Sequence, residues 1–84
     1  MADFKVGKVT HYFDKIGVAV IELLGTLAVG DSIKIVRHSG EEFTMPVYSM
    51  QMEHEQIKEA KKGQTIGMKV DAEVKEGDEV YKLP

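Results

Sequence analysis

The 84-residue sequence contains no cysteine and no tryptophan, and only two prolines. Without cysteine there is neither a disulfide framework nor a thiolate zinc site, and a reducing cytoplasm is the expected setting. No apolar run approaches the roughly 20 residues that a membrane-spanning helix needs. The start, Met1-Ala2-Asp3-Phe4-Lys5, lacks the charged and apolar regions of a signal peptide, so no membrane association is expected. Phosphate cradles of the Gly-x-x-x-x-Gly-Lys-Ser/Thr type are missing, which argues against nucleotide binding by this chain alone. Dinucleotide, zinc-protease and nucleophile-elbow motifs are missing too.

The length suits one small domain over residues 1–84, built round a single core. Eleven Lys and Arg against 14 Asp and Glu give a net charge of −3. That balance disfavours tight non-specific binding to nucleic acid but leaves room for a local basic face.

Glycines and charged turns divide the sequence into short Val- and Ile-rich runs, the punctuation of strands. Phe4 to Phe13 reads as a strand in which Phe4 and Val6 share a face and Val9 falls out of phase, so Gly7 is a candidate bulge. Ile16 to Leu23 is apolar on both faces, as a central strand would be. In the segment 31–38, Ile33 and Ile35 alternate with Ser32 and Lys34, and Ser39-Gly40-Glu41 supplies a hairpin turn. The return strand runs from Glu42 to about Met52, with Pro46 confining it to an edge or bulge. Thr65 to Val70 and Glu79 to Leu83 complete six strands. Residues 53–62 hold helix formers, but two turns are marginal alone, so a loop with one helical turn is expected.

Leu27-Ala28-Val29-Gly30-Asp31-Ser32-Ile33 echoes Val74-Lys75-Glu76-Gly77-Asp78-Glu79-Val80. Each Gly-Asp pair should turn the chain and launch a strand, Asp bonding its own following backbone. Two similar turns are the preferred reading of the echo, ahead of a duplication.

Residues with reactive side chains form no recognisable constellation. His11, His38 and His54 lack metal-ligand spacing, and the acids of 71–79 lack that of a calcium loop. The methionines at 45, 50, 52 and 68 read as core filler ahead of an adaptable binding surface. Neither a cofactor nor a metal is expected, and the chain reads as a binding module, not an enzyme.

The stretch from Met52-Glu53-His54-Glu55 through Ala60, Gly63 and Gly67 to Val70 resembles the second-domain barrel of translational GTPases, typified by elongation factor Tu. Gly25-Thr26-Leu27-Ala28-Val29-Gly30-Asp31-Ser32-Ile33 is similar to that family's strand entry. The resemblance extends from about Val6 to Leu83 and is most specific over residues 47–70. It implies an all-β fold, a small closed six-stranded Greek-key-like barrel of the translation-protein type. It further implies a translation elongation factor-like RNA-binding module, with tRNA or ribosomal RNA as partner. Gln51 aligns with the family's recognition glutamate, His54 with an arginine and Lys69 with an apolar pocket residue. These three are the candidate RNA contacts, and Arg37 is a fourth. Gln can bond a ribose hydroxyl, whereas Lys69 must snorkel outward to leave an apolar pocket intact. Similar barrels also occur as accessory domains on RNA-modifying and peptidase-like enzymes. The alternative is therefore an accessory protein-interaction barrel that partners a separate enzyme or translation factor.

Overall fold

Alternating apolar residues need a buried face to point at, and the chain supplies one by folding almost entirely into strands. The computed structural model describes residues 4–83, and no helix occurs among them. The strands are β1 (Phe4–Phe13), β2 (Val18–Leu23), β3 (Leu27–Ala28), β4 (Ser32–Val36), β5 (Glu42–Pro46), β6 (Met50–Met52), β7 (Glu55–Ile57), β8 (Glu59–Ala60), β9 (Thr65–Lys69) and β10 (Glu79–Lys82). Eight of them form one sheet in the order β5-β4-β10-β1-β2-β9-β6-β7, and β3 pairs with β8 in a separate ribbon. Every pairing is antiparallel.

The sheet's ladder is not the closed six-stranded ring that the sequence leads one to expect. It stays open, with β5 and β7 at its two ends. Pro46 removes a donor from β5, and β7 is only three residues long, so neither end offers a long row of free groups.

β1 explains how Val6 and Val9 can both be buried while out of phase. Its register shifts between Lys5 and Gly7 against β10, and between Val9 and His11 against β2. Each shift is a bulge that resets the alternation. Gly7 is required beside the first: a Cβ there would lie 2.7 Å from Ile21 Cγ2 and 2.9 Å from the Glu22 carbonyl oxygen.

The side chains turned inward form one core shared by the sheet and the ribbon. Ile21, Ile33, Ile35 and Val80 come from the sheet, Leu27 and Ala60 from the ribbon. Each large aliphatic buried this way contributes on the order of 1.5–3 kcal/mol. Met45, Met50 and Met68 are in this core and Met52 packs against it, so the methionines fill space inside.

Residues 53–62 depart from the expected loop with a helical turn. They complete the β6–β7 hairpin and supply β8. The helix propensity of this segment yields to pairing with β6 and β3, an example of tertiary context overriding a weak local preference.

Candidate functional site

Across the middle of the sheet the outward-facing residues are unusual for a solvated surface. β2 turns Ala19, Ile21 and Leu23 into the core and leaves Val18 and Val20 half-buried on the other face. An antiparallel sheet with one wet face normally places polar residues there. In register with Val20 lie His11 on β1 and Gly67 on β9, and Gly67 in turn faces Gln51 on β6. Gln51 is paired with Gln56 on β7. One row therefore crosses five strands, and its central position has no side chain.

That gap makes a notch. A Cβ on Gly67 would meet Val18 Cγ1 at 3.3 Å and Gln51 Cγ at 3.5 Å, so the neighbours already lean over it. A cavity of about 240 Å³ opens above the notch, floored by Val18 and Val20 and flanked by Phe13, Ile16 and Met52. Phe13 and Ile16 are large apolar side chains left exposed, Ile16 at 61%. Gln51, Thr65 and the Glu53-His54 turn form the polar part of the rim. An adjoining hollow of about 210 Å³ shares Ile16, Val18, Gln51 and Gly67 and adds Ser49, Gln56 and Lys69.

The turn at the rim has a specific backbone. Glu53 and His54 are both left-handed, at φ 52° and 68°, and form the two-residue loop between β6 and β7. Tight hairpins of this kind need positive φ at both central positions, which Asn-Gly supplies most cheaply.

Chemically, the cleft can bury an apolar group on its floor and orient it through the Gln51 amide, which both donates and accepts. The hydroxyls that donate to carboxylates, Ser39 to Glu41, Tyr48 to Asp71 and Tyr81 to Glu79, all lie outside this cleft. Among the described residues no group of three His, Asp or Glu side chains could hold a metal ion. His11 instead stacks edge-on against Phe13, with ring centroids 4.5 Å apart.

Three of the four site residues drawn from the sequence converge here. Gln51 and His54 line the first cavity, Gln51 and Lys69 the second. Lys69 is exposed and in register with Val18, so it does point outward. Arg37 does not join them; it lines another hollow, with His38, Ser39, Lys75 and Asp78. The apolar half of the cleft is not apparent from the sequence. A strand apolar on both faces looks the same whether its second face is covered or open. The available signal was Val18 and Val20 alternating with Ala19 and Ile21 just after the exposed Phe13 and Ile16.

The family model described as the peptidase family U32 C-terminal domain matches residues 3–78. An uncharacterized protease of Methanocaldococcus jannaschii is 39% identical over 79 residues, covering 94% of this chain and 19% of that protein. A collagenase of Porphyromonas gingivalis is 33% identical over 79 residues, covering 93% of this chain and 22% of its own length. The chain thus spans about a fifth of the length of these relatives. The crystal structure of the C-terminal domain of a putative U32 peptidase from Geobacillus thermoleovorans matches with a TM-score of 0.89, covering 98% of this chain and 93% of that one. At 20% identity that likeness shows the fold alone.

These matches overturn the resemblance to translational GTPases and to elongation factor Tu, and with it the tRNA- or ribosomal-RNA-binding function. The alternative, an accessory barrel partnering a separate enzyme or translation factor, gains no support from them either. The physical reason lies in the residues that carried the resemblance. Ala60 is fully buried, Gly63 turns at φ 90° and Gly67 sits under Val18. A hairpin, turn and strand of this shape need such residues whatever the surface binds.

Proposed function

Because the chain belongs to the peptidase family U32 C-terminal domains, we propose that it is a non-catalytic recognition domain that holds a segment of polypeptide. The observation that carries this reading is the notch at Gly67, walled by outward-facing Val18 and Val20 beside the exposed Phe13 and Ile16. An apolar patch with a polar rim on an otherwise wet sheet is the common form of an interaction site. The relatives named as a protease and a collagenase supply the ligand class, since both names imply a polypeptide substrate. Gln51, His54 and Lys69 become rim contacts under this reading, and Arg37 is left outside it. The open ladder wrapping round one core as a small barrel, and a cytoplasmic setting for a cysteine-free chain, complete the proposal.

Titration of the ¹⁵N-labelled protein with gelatin-derived peptides tests it by NMR. The amides of residues 13–20, 51–54 and 65–69 should shift and saturate, and Val20→Asp should weaken binding at least about tenfold, as a charge in an apolar contact does. If those amides stay still at millimolar peptide, the reading fails.

A further inference from the structure

The backbone strain at the cleft rim closes the β6–β7 hairpin, which needs left-handed geometry but no particular side chain at these two positions. Left-handed geometry is disfavoured for an L-residue relative to the right-handed region. Here two successive non-glycine residues, Glu53 and His54, carry it at φ 52° and 68°. Both side chains are exposed, and neither makes a hydrogen bond or ion pair with another described residue. The second position is where a glycine would relieve the turn, yet a side chain stands there. The hairpin employs the backbone of both residues and neither side chain, which leaves both side chains on the lip of the cleft within reach of a ligand.

The charges along the cleft define what that is. Glu53 stands at the end near Thr65, whereas Lys69 stands at the opposite end of the same strand, beyond Gly67. Lys69 also lacks an ion-pair partner among the described residues, unlike Lys5 and Lys82. From Thr65 to Lys69 an extended strand covers about 13 Å, at about 3.3 Å per residue. Between the two ends the floor is apolar, Val18 and Val20 flanking the gap at Gly67.

We infer that the cleft selects an extended polypeptide segment with an apolar side chain at its centre, a basic residue at one end and an acidic residue at the other, about four residues apart. The inference rests on the polypeptide-binding reading above. The apolar side chain fills the notch, the basic end meets Glu53 and the acidic end meets Lys69. His54 closes the rim beside Glu53, where its ring nitrogens reach the ligand's backbone.

Fluorescence titration of the intact chain with labelled five-residue peptides tests this. Lys-Ser-Leu-Ser-Glu should bind about three- to fivefold tighter than Lys-Ser-Leu-Ser-Lys or Glu-Ser-Leu-Ser-Glu, the size of one exposed ion pair. Because a peptide can lie in either direction, the same-sign peptides are the right controls. Glu53→Lys should make the all-acidic peptide the preferred ligand. The double change Glu53→Asn with His54→Gly should raise Tm by about 4–8 °C through relief of strain while weakening the mixed-charge peptide.

If all three peptides bind alike, or Glu53→Lys leaves their order unchanged, the charge selection is wrong while the cleft stands. It is equally wrong if the strain-relieved protein binds as the parent does. If no peptide binds at all, the cleft reading itself has failed and this inference goes with it.

Discussion

The turn from Leu27 to Ile33 and the turn from Val74 to Val80 correspond residue by residue. In each, the Asp carboxylate accepts from the backbone N–H three residues earlier, Ala28 N–H to Asp31 Oδ2 and Lys75 N–H to Asp78 Oδ2, both at 2.9 Å. The preceding glycines have φ 97° and 98°. Each glycine N–H donates to a buried valine carbonyl, Val47 in one turn and Val9 in the other. The N–H of each of those valines donates in turn to the Asp carbonyl, at 2.8 Å in both. The strands launched, β4 and β10, pair antiparallel, with Lys34 opposite Tyr81, its own counterpart. The sequence echo is therefore a local two-fold relation that includes the partner strands, more than a pair of similar turns. The Asp side chains reach back along the chain, not forward to the following backbone as the sequence suggests.

What differs is the company each carboxylate keeps. Asp31 also faces Lys82, 3.3 Å away in a half-exposed pair. Asp78 is 1% exposed, and its other oxygen accepts the His38 N–H at 2.8 Å. The second turn thus ties the β4–β5 hairpin loop to the chain end, while the first only meets a solvated cation. Identical local chemistry should therefore give unequal stability, set by how deeply the carboxylate is buried and whether its spare oxygen accepts a second backbone donor.

Replacing each Asp by Ala separates the two most widely. Asp78→Ala removes a buried carboxylate and leaves two part-buried backbone N–H groups without their acceptor, which should cost about 2–3 kcal/mol. Asp31→Ala orphans one donor in a wetter place and should cost about 1 kcal/mol. Urea unfolding of the two variants gives the comparison, and equal losses would mean that burial of Asp78 adds nothing. A smaller and opposite test uses the glycines. No atom lies within 4 Å of a Cβ built on Gly30 or Gly77, so alanine meets no clash at either. Only the left-handed backbone opposes it, at about 1–2 kcal/mol. Gly30→Ala and Gly77→Ala should therefore match within about 0.5 kcal/mol, and a clear inequality would break the two-fold relation.

Much of this fold was legible because alternation and glycine placement are local signals. Ile33 with Ile35, and Ile66 with Met68, fall on the core face as the pattern requires. Gly40 turns the chain at φ 97°, at the hairpin its sequence signals. The ribbon of β3 and β8 was not legible, since two residues carry no period and Leu27 and Ala60 pair only through the closed fold. Nor was the left-handed turn at Glu53 and His54, since neither is the Asn or Gly that signals such a turn. At the site, Gln51, His54 and Lys69 are singled out by a resemblance that fails, yet the sheet does bring them to one cleft. Their spacing of 3 and 15 positions becomes contiguity only when β6 pairs with β9, which no local pattern reports.

The smallest expected difference between the two turns lies one residue beyond the Asp. The first has Ser32 there and the second Glu79, which pairs with Lys5 at 2.6 Å. The hydrogen bond from Lys5, and next its charge, hold the Glu79 carboxyl below its usual range. The hydrogen bond to Glu79 raises the Lys5 ammonium above its own. A carboxyl depressed in the folded state stabilises at pH values above its unfolded pKa, and that contribution fades as pH falls through the folded value. For Lys5 the sign reverses, with stability kept below the ordinary lysine pKa and lost as pH rises through the raised one. Both side chains are 39% exposed, so the effect is small and screened by salt. Lys5→Met should lower Tm slightly at pH 7, and the gap to the parent should shrink as pH falls below the ordinary carboxylate range, or in about 1 M salt. Because Met keeps an apolar stem of similar length, a gap that survives both conditions would show that the contribution of Lys5 is not electrostatic, and the charge at Glu79 would then have no structural role.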